Sequence, residues 1–188
     1  MFIILASGSP RRQQLLSDLG IDFEVRLLQG IDESYPQGLT GQEIAHHISR
    51  SKAEAYRASM AADELIITAD TIVFLDGQVL GKPKNRAEAI AMLHRLSGRT
   101  HEVITGVTLQ TTERQKTFDN VTRVTFCPLT DEEIEHYVDA CHPLDKAGAY
   151  GIQEWIGYIG VERIEGCYYN VMGLPIQQLY RELKTFIQ

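Results

Sequence analysis

Asp70 lies inside Leu65-Ile-Ile-Thr-Ala-Asp70-Thr-Ile-Val-Phe-Leu75, whose other members are nearly all apolar. An acid in such a strand is either thrown to solvent by a bulge or held partly desolvated for a purpose. Desolvation raises a carboxyl pKa, whereas neighbouring Lys, Arg or a divalent cation lowers it. The second arrangement therefore yields a carboxylate able to hold a metal or take a proton from water. The adjacent Thr71 adds a hydroxyl that can contact a ligand or serve simply as a β-former. Ser7-Gly8-Ser9-Pro10-Arg11-Arg12 is the second unusual feature. Its arginines fall in the first turn of a helix, where free N–H groups already form a positive pole. An oxyanion resting on Ser7, Ser9, the backbone amides and an arginine would turn that repulsion into attraction; the plain alternative is that both arginines point to water. The third is Asp145-Lys-Ala-Gly-Ala-Tyr-Gly-Ile-Gln153. Its small residues admit a flat ring or another backbone, and Gln153 can both donate and accept as a base edge requires; a tight turn is the alternative. Glu33, Lys52 and Lys82 are ordinary solvated side chains unless they keep company with these groups.

Other chemistries are excluded by pattern. Gly77-Gln-Val-Leu-Gly81-Lys82-Pro83 is one residue short of a Walker loop and has Pro where Ser or Thr is required. His101-Glu102 lacks the second histidine of H-E-x-x-H, and neither G-x-S-x-G nor G-x-G-x-x-G occurs.

The elements that must carry these groups follow from periodicity. Phe2–Ala6 reads as a buried strand, and a helix follows at once, with Ser9 as N-cap, Pro10 at its first position and Gly20 as its stop. Residues 23–28 read as a second strand and 29–38 as a polar loop. Thr40 and Glu43 form a capping box for a helix to about residue 60, its apolar stripe running through Ile44 and Ile48 with Lys52 one turn on. The strand 65–75 turns at Asp76-Gly77 into 78–80. Asn85 and Glu88 read as another box, for a helix that stops at Ser97-Gly98. Strands are expected over 103–109 and 121–126, a helix from Thr130 to about Ala140, strands near 158–161 and 168–172, and a final helix from Pro175. This interleaving predicts a single α/β domain spanning 1–188, built on a mixed sheet.

Composition agrees with such a chain. The 188 residues carry 18 Lys+Arg against 25 Asp+Glu, a net charge of −7, with 44% hydrophobic residues. That is a globular composition, and an acidic surface with no basic stripe argues against binding a nucleic acid polymer. Cys127, Cys141 and Cys167 are odd in number and lack C-x-x-C spacing, so neither a disulfide framework nor a zinc site is indicated. No run reaches the roughly 20 apolar residues of a membrane span, and a cytoplasmic location is expected.

Taken in one order, Ser7-Gly-Ser-Pro-Arg-Arg12, Ala69-Asp70-Thr71, Gly81-Lys-Pro83, Ser97-Gly98 with Thr100-His-Glu-Val103, and Asp145 to Gln153 resemble the Maf family of nucleoside triphosphate pyrophosphatases, related in fold to the inosine triphosphate pyrophosphatases. The resemblance spans essentially the whole chain. It implies an elongated α/β domain with a central mixed sheet flanked by helices and a deep nucleotide cleft, often a homodimer. It also implies hydrolysis of a nucleoside triphosphate to its monophosphate and pyrophosphate with a divalent cation, Mg²⁺ or Mn²⁺. Carried over by position, Asp70 is the catalytic carboxylate, and Ser7, Ser9 and Arg12 belong to the phosphate-binding loop. Glu33, Lys52 and Lys82 line the cleft, the lysines toward phosphate and Glu33 with Asp70 toward the metal. Arg12, Thr71 and Gln153 match positions linked to a preference for dTTP and UTP. A sister branch acting on 7-methyl-GTP carries a bulky Trp in the first motif and lacks the Asp-Thr pair, and this chain does not follow it. The rival expectation is a nucleotide-sensing regulator of septum formation that binds without turnover.

Overall fold

The apolar run around Asp70 becomes a twelve-residue strand, β3 (Glu64–Leu75), at the centre of a computed structural model that describes residues 1–187. β1 (Phe2–Leu5) lies parallel to it on one side and pairs in turn with β2 (Glu24–Val25). On the other side β5 (Thr100–Gln110), β6 (Gln115–Phe126) and β7 (Val161–Glu165) follow in antiparallel order, and the short β4 (Gln78–Leu80) returns from the Asp76-Gly77 turn onto the end of β3. The result is one seven-stranded mixed sheet, the α/β architecture expected.

Alternation along β3 divides the molecule. Leu65, Ile67 and Ala69 face a core shared with α1 (Pro10–Asp18) and α7 (Ile176–Ile187). Ile66, Thr68, Asp70 and Ile72 face α2 (Gly41–Tyr56), as the period of two dictates. A third cluster lies under α3 (Arg86–Leu96) and α4 (Asp131–Cys141).

Local chemistry explains most boundaries. Thr40 and Thr130 each make the complete reciprocal capping box with Glu43 and Glu133. Asn85 caps α3 by accepting from the Glu88 N–H, but Glu88 reaches back to the N–H of Lys84, so the box expected there is only half formed. Ser9 does stand at the N-cap of α1, with Pro10 inside the first turn, yet its hydroxyl makes no cap bond.

Three expected strands differ. The second is cut to Glu24–Val25 because the Tyr56 hydroxyl, reaching from α2, donates to the carbonyl of Arg26 and accepts from the N–H of Leu28. Residues 158–160 end a short helix, α5 (Trp155–Gly160), in which Ile156 and Gly160 are buried one turn apart; the strand begins only at Val161. Residues 168–171 form a helical turn, α6 (Tyr168–Val171), despite their β-forming side chains. Asn170 drives that reversal: it is fully buried and donates to the carbonyl of Val103 and to Thr122 Oγ1, bonds a strand conformation would not aim.

Candidate active site

A gap in the β-ladder makes the site. Pairing of β1 with β3 ends at Leu5 opposite Ile67, and pairing of β4 begins only at Val73 opposite Leu80. Residues 68–72 therefore have no strand on that edge, and a cleft of about 550 Å³ opens beside them. Asp70 sits in this gap in unbroken register with Gly106 of β5, so no bulge carries it outward.

Lys52 meets Asp70 from across the sheet face. Ile48, Lys52 and Tyr56 recur every fourth residue on α2, which places the Lys52 stem on the buried stripe and its ammonium over β3. Nζ donates to Asp70 Oδ1 at 2.7 Å and lies 2.8 Å from Glu33 Oε1. Only 14% of the Asp70 side chain and 15% of the Lys52 side chain are exposed, so the pair is partly desolvated and its attraction is correspondingly strengthened. Gly106 permits this approach: a Cβ there would lie 2.4 Å from the carbonyl oxygen of Ala45, so a side chain would push α2 off the sheet. Burial alone would raise the carboxyl of Glu33, but the hydrogen bond and charge of Lys52, with Lys82 and Arg12 beyond, hold it below its ordinary value.

Arg12 fills the other face of the gap. Nε donates to the carbonyl of Gly173 at 2.7 Å, Nη1 to the carbonyl of Ala69 at 2.9 Å and to Ser7 Oγ at 3.4 Å, and Nη2 to Thr71 Oγ1 at 3.0 Å. The carbonyl of Ala69 is one that a neighbouring strand would have satisfied; the guanidinium takes its place. Of five N–H donors, four are thus committed to protein acceptors. The geometry makes Arg12 a strut joining α1, β3 and the segment after α6, with one N–H uncommitted among the described residues. Burial lowers its pKa and the nearby Asp70 charge opposes that fall. Thr71 belongs to the same assembly, bonding Thr105 Oγ1 at 2.9 Å.

The remaining groups divide between wall and support. Ser9, Lys82 and Gln153 line the cleft, with Lys82 and Gln153 exposed. Ser7 is buried behind it and braces the loop, accepting from the Ser9 N–H and from Arg12. Two further cations stand on the wall: Arg11, which the sequence pairs with Arg12 as a possible oxyanion contact, and Lys146, which sequence reasoning missed. Arg11 is half-exposed, with its nearest carboxylate, Asp145, 4.0 Å away. Lys146 lies 2.7 Å from Asp145 and 3.1 Å from Glu154, and is buried except for a tenth of its side chain. The Gly-rich stretch before Gln153 is held against the sheet because Gly148, at φ 68°, leaves room that Val73 occupies. Arg11 was legible as the other half of an Arg-Arg pair, whereas nothing in the spacing of Lys146 marked its burial.

Glu33 and Asp70 share one ammonium, so their bonded oxygens are no further apart than the sum of those two contacts. Among the described residues no cluster of three or more His, Cys, Asp or Glu forms a self-sufficient metal site. Two carboxylates in a cleft that Arg11, Lys52, Lys82 and Lys146 also line fit a hard divalent cation that takes its other oxygens from substrate phosphates and water.

The family model described as Maf-like protein matches residues 2–186. The chain is 62% identical over 182 residues to the dTTP/UTP pyrophosphatase of Bacteroides thetaiotaomicron, covering 97% of this chain and 94% of that one. It is 52% identical over 186 residues to the protein of that name from Porphyromonas gingivalis strain W83, covering 98% and 94%. Among solved structures, a HAM1 protein from Coxiella burnetii shares the fold at a TM-score of 0.51 and 16% identity, over 98% of this chain and 100% of that one. With motifs, cleft and nearly full-length similarity in agreement, this chain belongs to the Maf-like protein family.

Proposed function

We propose that residues 1–188 act as one catalytic domain that hydrolyses nucleoside triphosphates, dTTP and UTP foremost, to the monophosphate and pyrophosphate. The observation that carries this reading is the partly desolvated Asp70 carboxylate, fixed by Lys52 at 2.7 Å on the floor of a cleft that Arg11, Lys82 and Lys146 also line. An acid so placed can orient a water molecule and accept its proton while the surrounding cations receive negative charge. The relatives named dTTP/UTP pyrophosphatase support the same substrate class.

Glu33 and Asp70 would hold a divalent cation, Mg²⁺ or Mn²⁺, which when bound offsets phosphate charge and polarises the phosphoryl oxygens. The protein's own residues do the rest. Lys52 holds Asp70 through Oδ1, leaving Oδ2 for the water. That water's oxygen bonds to the α-phosphorus in line with the departing group, the α–β bridging bond breaks, and the proton passes to Asp70. Pyrophosphate leaves toward Ser9, Arg11 and Lys82. Gln153 reads the base edge, and the Arg12–Thr71 assembly sets the pose of Met172 and Gly173 on the opposite wall.

The test is a substrate panel. Purified protein with Mg²⁺ or Mn²⁺ is given dTTP, UTP, CTP, GTP and 7-methyl-GTP, and released pyrophosphate and orthophosphate are measured separately. Pyrophosphate from dTTP and UTP above the others is expected. Tight binding with no release would favour the sensor instead, and orthophosphate would mean that a different bond is cut.

A further inference from the structure

Gln153 stands exposed in the cleft, but the residues on either side of it are tied down from beneath. Tyr150 and Ile152 are buried in the core cluster that includes Tyr137 of α4. Between them and α5 the backbone turns at Gly151, whose carbonyl accepts from the N–H of Glu154 at 3.0 Å. Glu154 occupies the N-cap position of α5, from which side chains commonly cap a helix, yet its carboxylate makes no cap bond. The side chain turns back under the loop instead. Its Oε1 lies 3.1 Å from the Lys146 ammonium, and Oε2 accepts from the Tyr137 hydroxyl.

That hydroxyl closes the circuit. It accepts from the Gly151 N–H at 3.0 Å while donating to Glu154, so one fully buried group holds both ends of the turn that carries Gln153. Burial, and then the bond and charge of Glu154, push the Tyr137 phenol up, which keeps the proton on its oxygen as a donor. Glycine is required at 151, because a Cβ there would lie 2.8 Å from Glu154 Cδ. The far side of the turn is pinned as well: the Tyr158 hydroxyl donates to the carbonyl of Gln153 at 2.6 Å. Neither Tyr137 nor the Glu154 carboxylate enters the hydrolytic step proposed above.

Uracil and cytosine exchange a donor and an acceptor along the same edge, and a site rejects the wrong one through groups left unpaired. That penalty exists only where the reading group cannot move aside. Gln153 is exposed and carries its amide at the end of three torsions, so rigidity must come from its backbone and from what holds it. We propose that Glu154 and Tyr137 are positioning residues for base selection: by holding the turn 151–154 they aim the Gln153 amide at a pyrimidine edge and set the preference for uracil over cytosine. The assignment rests on the base-reading role given to Gln153 above.

A double-mutant cycle tests it, with kcat/KM for UTP over CTP measured for the wild-type chain, Tyr137→Phe, Gln153→Ala and the double variant. Tyr137→Phe removes one oxygen, leaving the Gly151 N–H without its acceptor and Glu154 without its donor. The ratio should fall at least about fivefold, through KM for UTP with kcat held within about twofold, since Lys52 and Asp70 are untouched. Gln153→Ala should lower the ratio as much or more, and in that background Tyr137→Phe should change it no further. Glu154→Gln keeps an acceptor for Tyr137 but loses the charge that faces Lys146, and it should lower the ratio in the same direction. The ratio of Kd values for CMP and UMP, which lack the bond to be cut, should follow the same order. Thermal melts verify that each variant is folded at the assay temperature. A Gln153→Ala ratio equal to wild type would remove base reading from Gln153, and the inference with it. A loss in Gln153→Ala that either Tyr137→Phe or Glu154→Gln fails to share, or effects that add in the double variant, would overturn the positioning role alone.

Discussion

A single atom pair, Lys52 Nζ and Asp70 Oδ1, fixes where a proton can be accepted in this cleft. Asp70→Asn keeps the shape and can still accept from Lys52, but it cannot take a proton from water. Turnover of UTP should fall by at least ~10²-fold with the melting curve nearly unchanged; near-normal turnover would remove Asp70 from its role. Arg12 calls for a different substitution. Arg12→Lys preserves the charge yet cannot span Gly173, Ala69 and Thr71 at once. If charge toward phosphate were its whole contribution, lysine would largely suffice. As a strut it should instead cost about 2 kcal/mol of stability, read by urea unfolding, and should alter the ratio of dTTP to CTP turnover.

At the scale of elements, the approach of α2 to β5 is the joint on which the site depends. Gly106→Ala would drive a Cβ to 2.4 Å from the backbone carbonyl of Ala45, and neither backbone can yield without lifting Lys52 from Asp70. A loss of about 3 kcal/mol is expected, with reduced turnover at saturating UTP. Gly41→Ala on the same helix is the comparison. Its obstacles are side chains, Ile104 Cδ1 at 2.6 Å and the Phe74 ring at 3.2 Å, which can give where backbone cannot, so its cost should be smaller, about 1 kcal/mol.

For the molecule as a whole, one buried base ties stability to pH. His101 is 2% exposed, bonds the Tyr150 hydroxyl at 2.7 Å through Nε2, and has no partner at Nδ1 among the described residues. Burial depresses its pKa from 6.5 to about 4. Between those values the unfolded chain binds a proton that the folded chain refuses, so stability contributed by this site is complete above pH 6.5 and is lost as pH falls toward 4. His101→Gln removes the titration while keeping an amide for Tyr150. Across that interval the wild-type protein should lose about 3 kcal/mol more than the variant, measured by urea unfolding at several pH values. Equal losses would show that His101 protonates freely.

Much was written in local pattern. The apolar run around Asp70, the caps at Thr40 and Thr130, and the stripe carrying Lys52 all rest on neighbours within a turn or a pleat, so the α/β order and the principal acid and lysine were legible. Motif order carried the family. What distance along the chain conceals was settled by packing: whether Asp70 would bulge outward, that four donors of Arg12 would be spent inside the protein, and that Asn170 would bend a β-forming stretch into a helix. Apart from the local bond of Arg12 to Ser7, each turns on partners 48 or more residues away, or on the free edge of a strand, and sequence periodicity reports which side of an element is buried but not what it will meet.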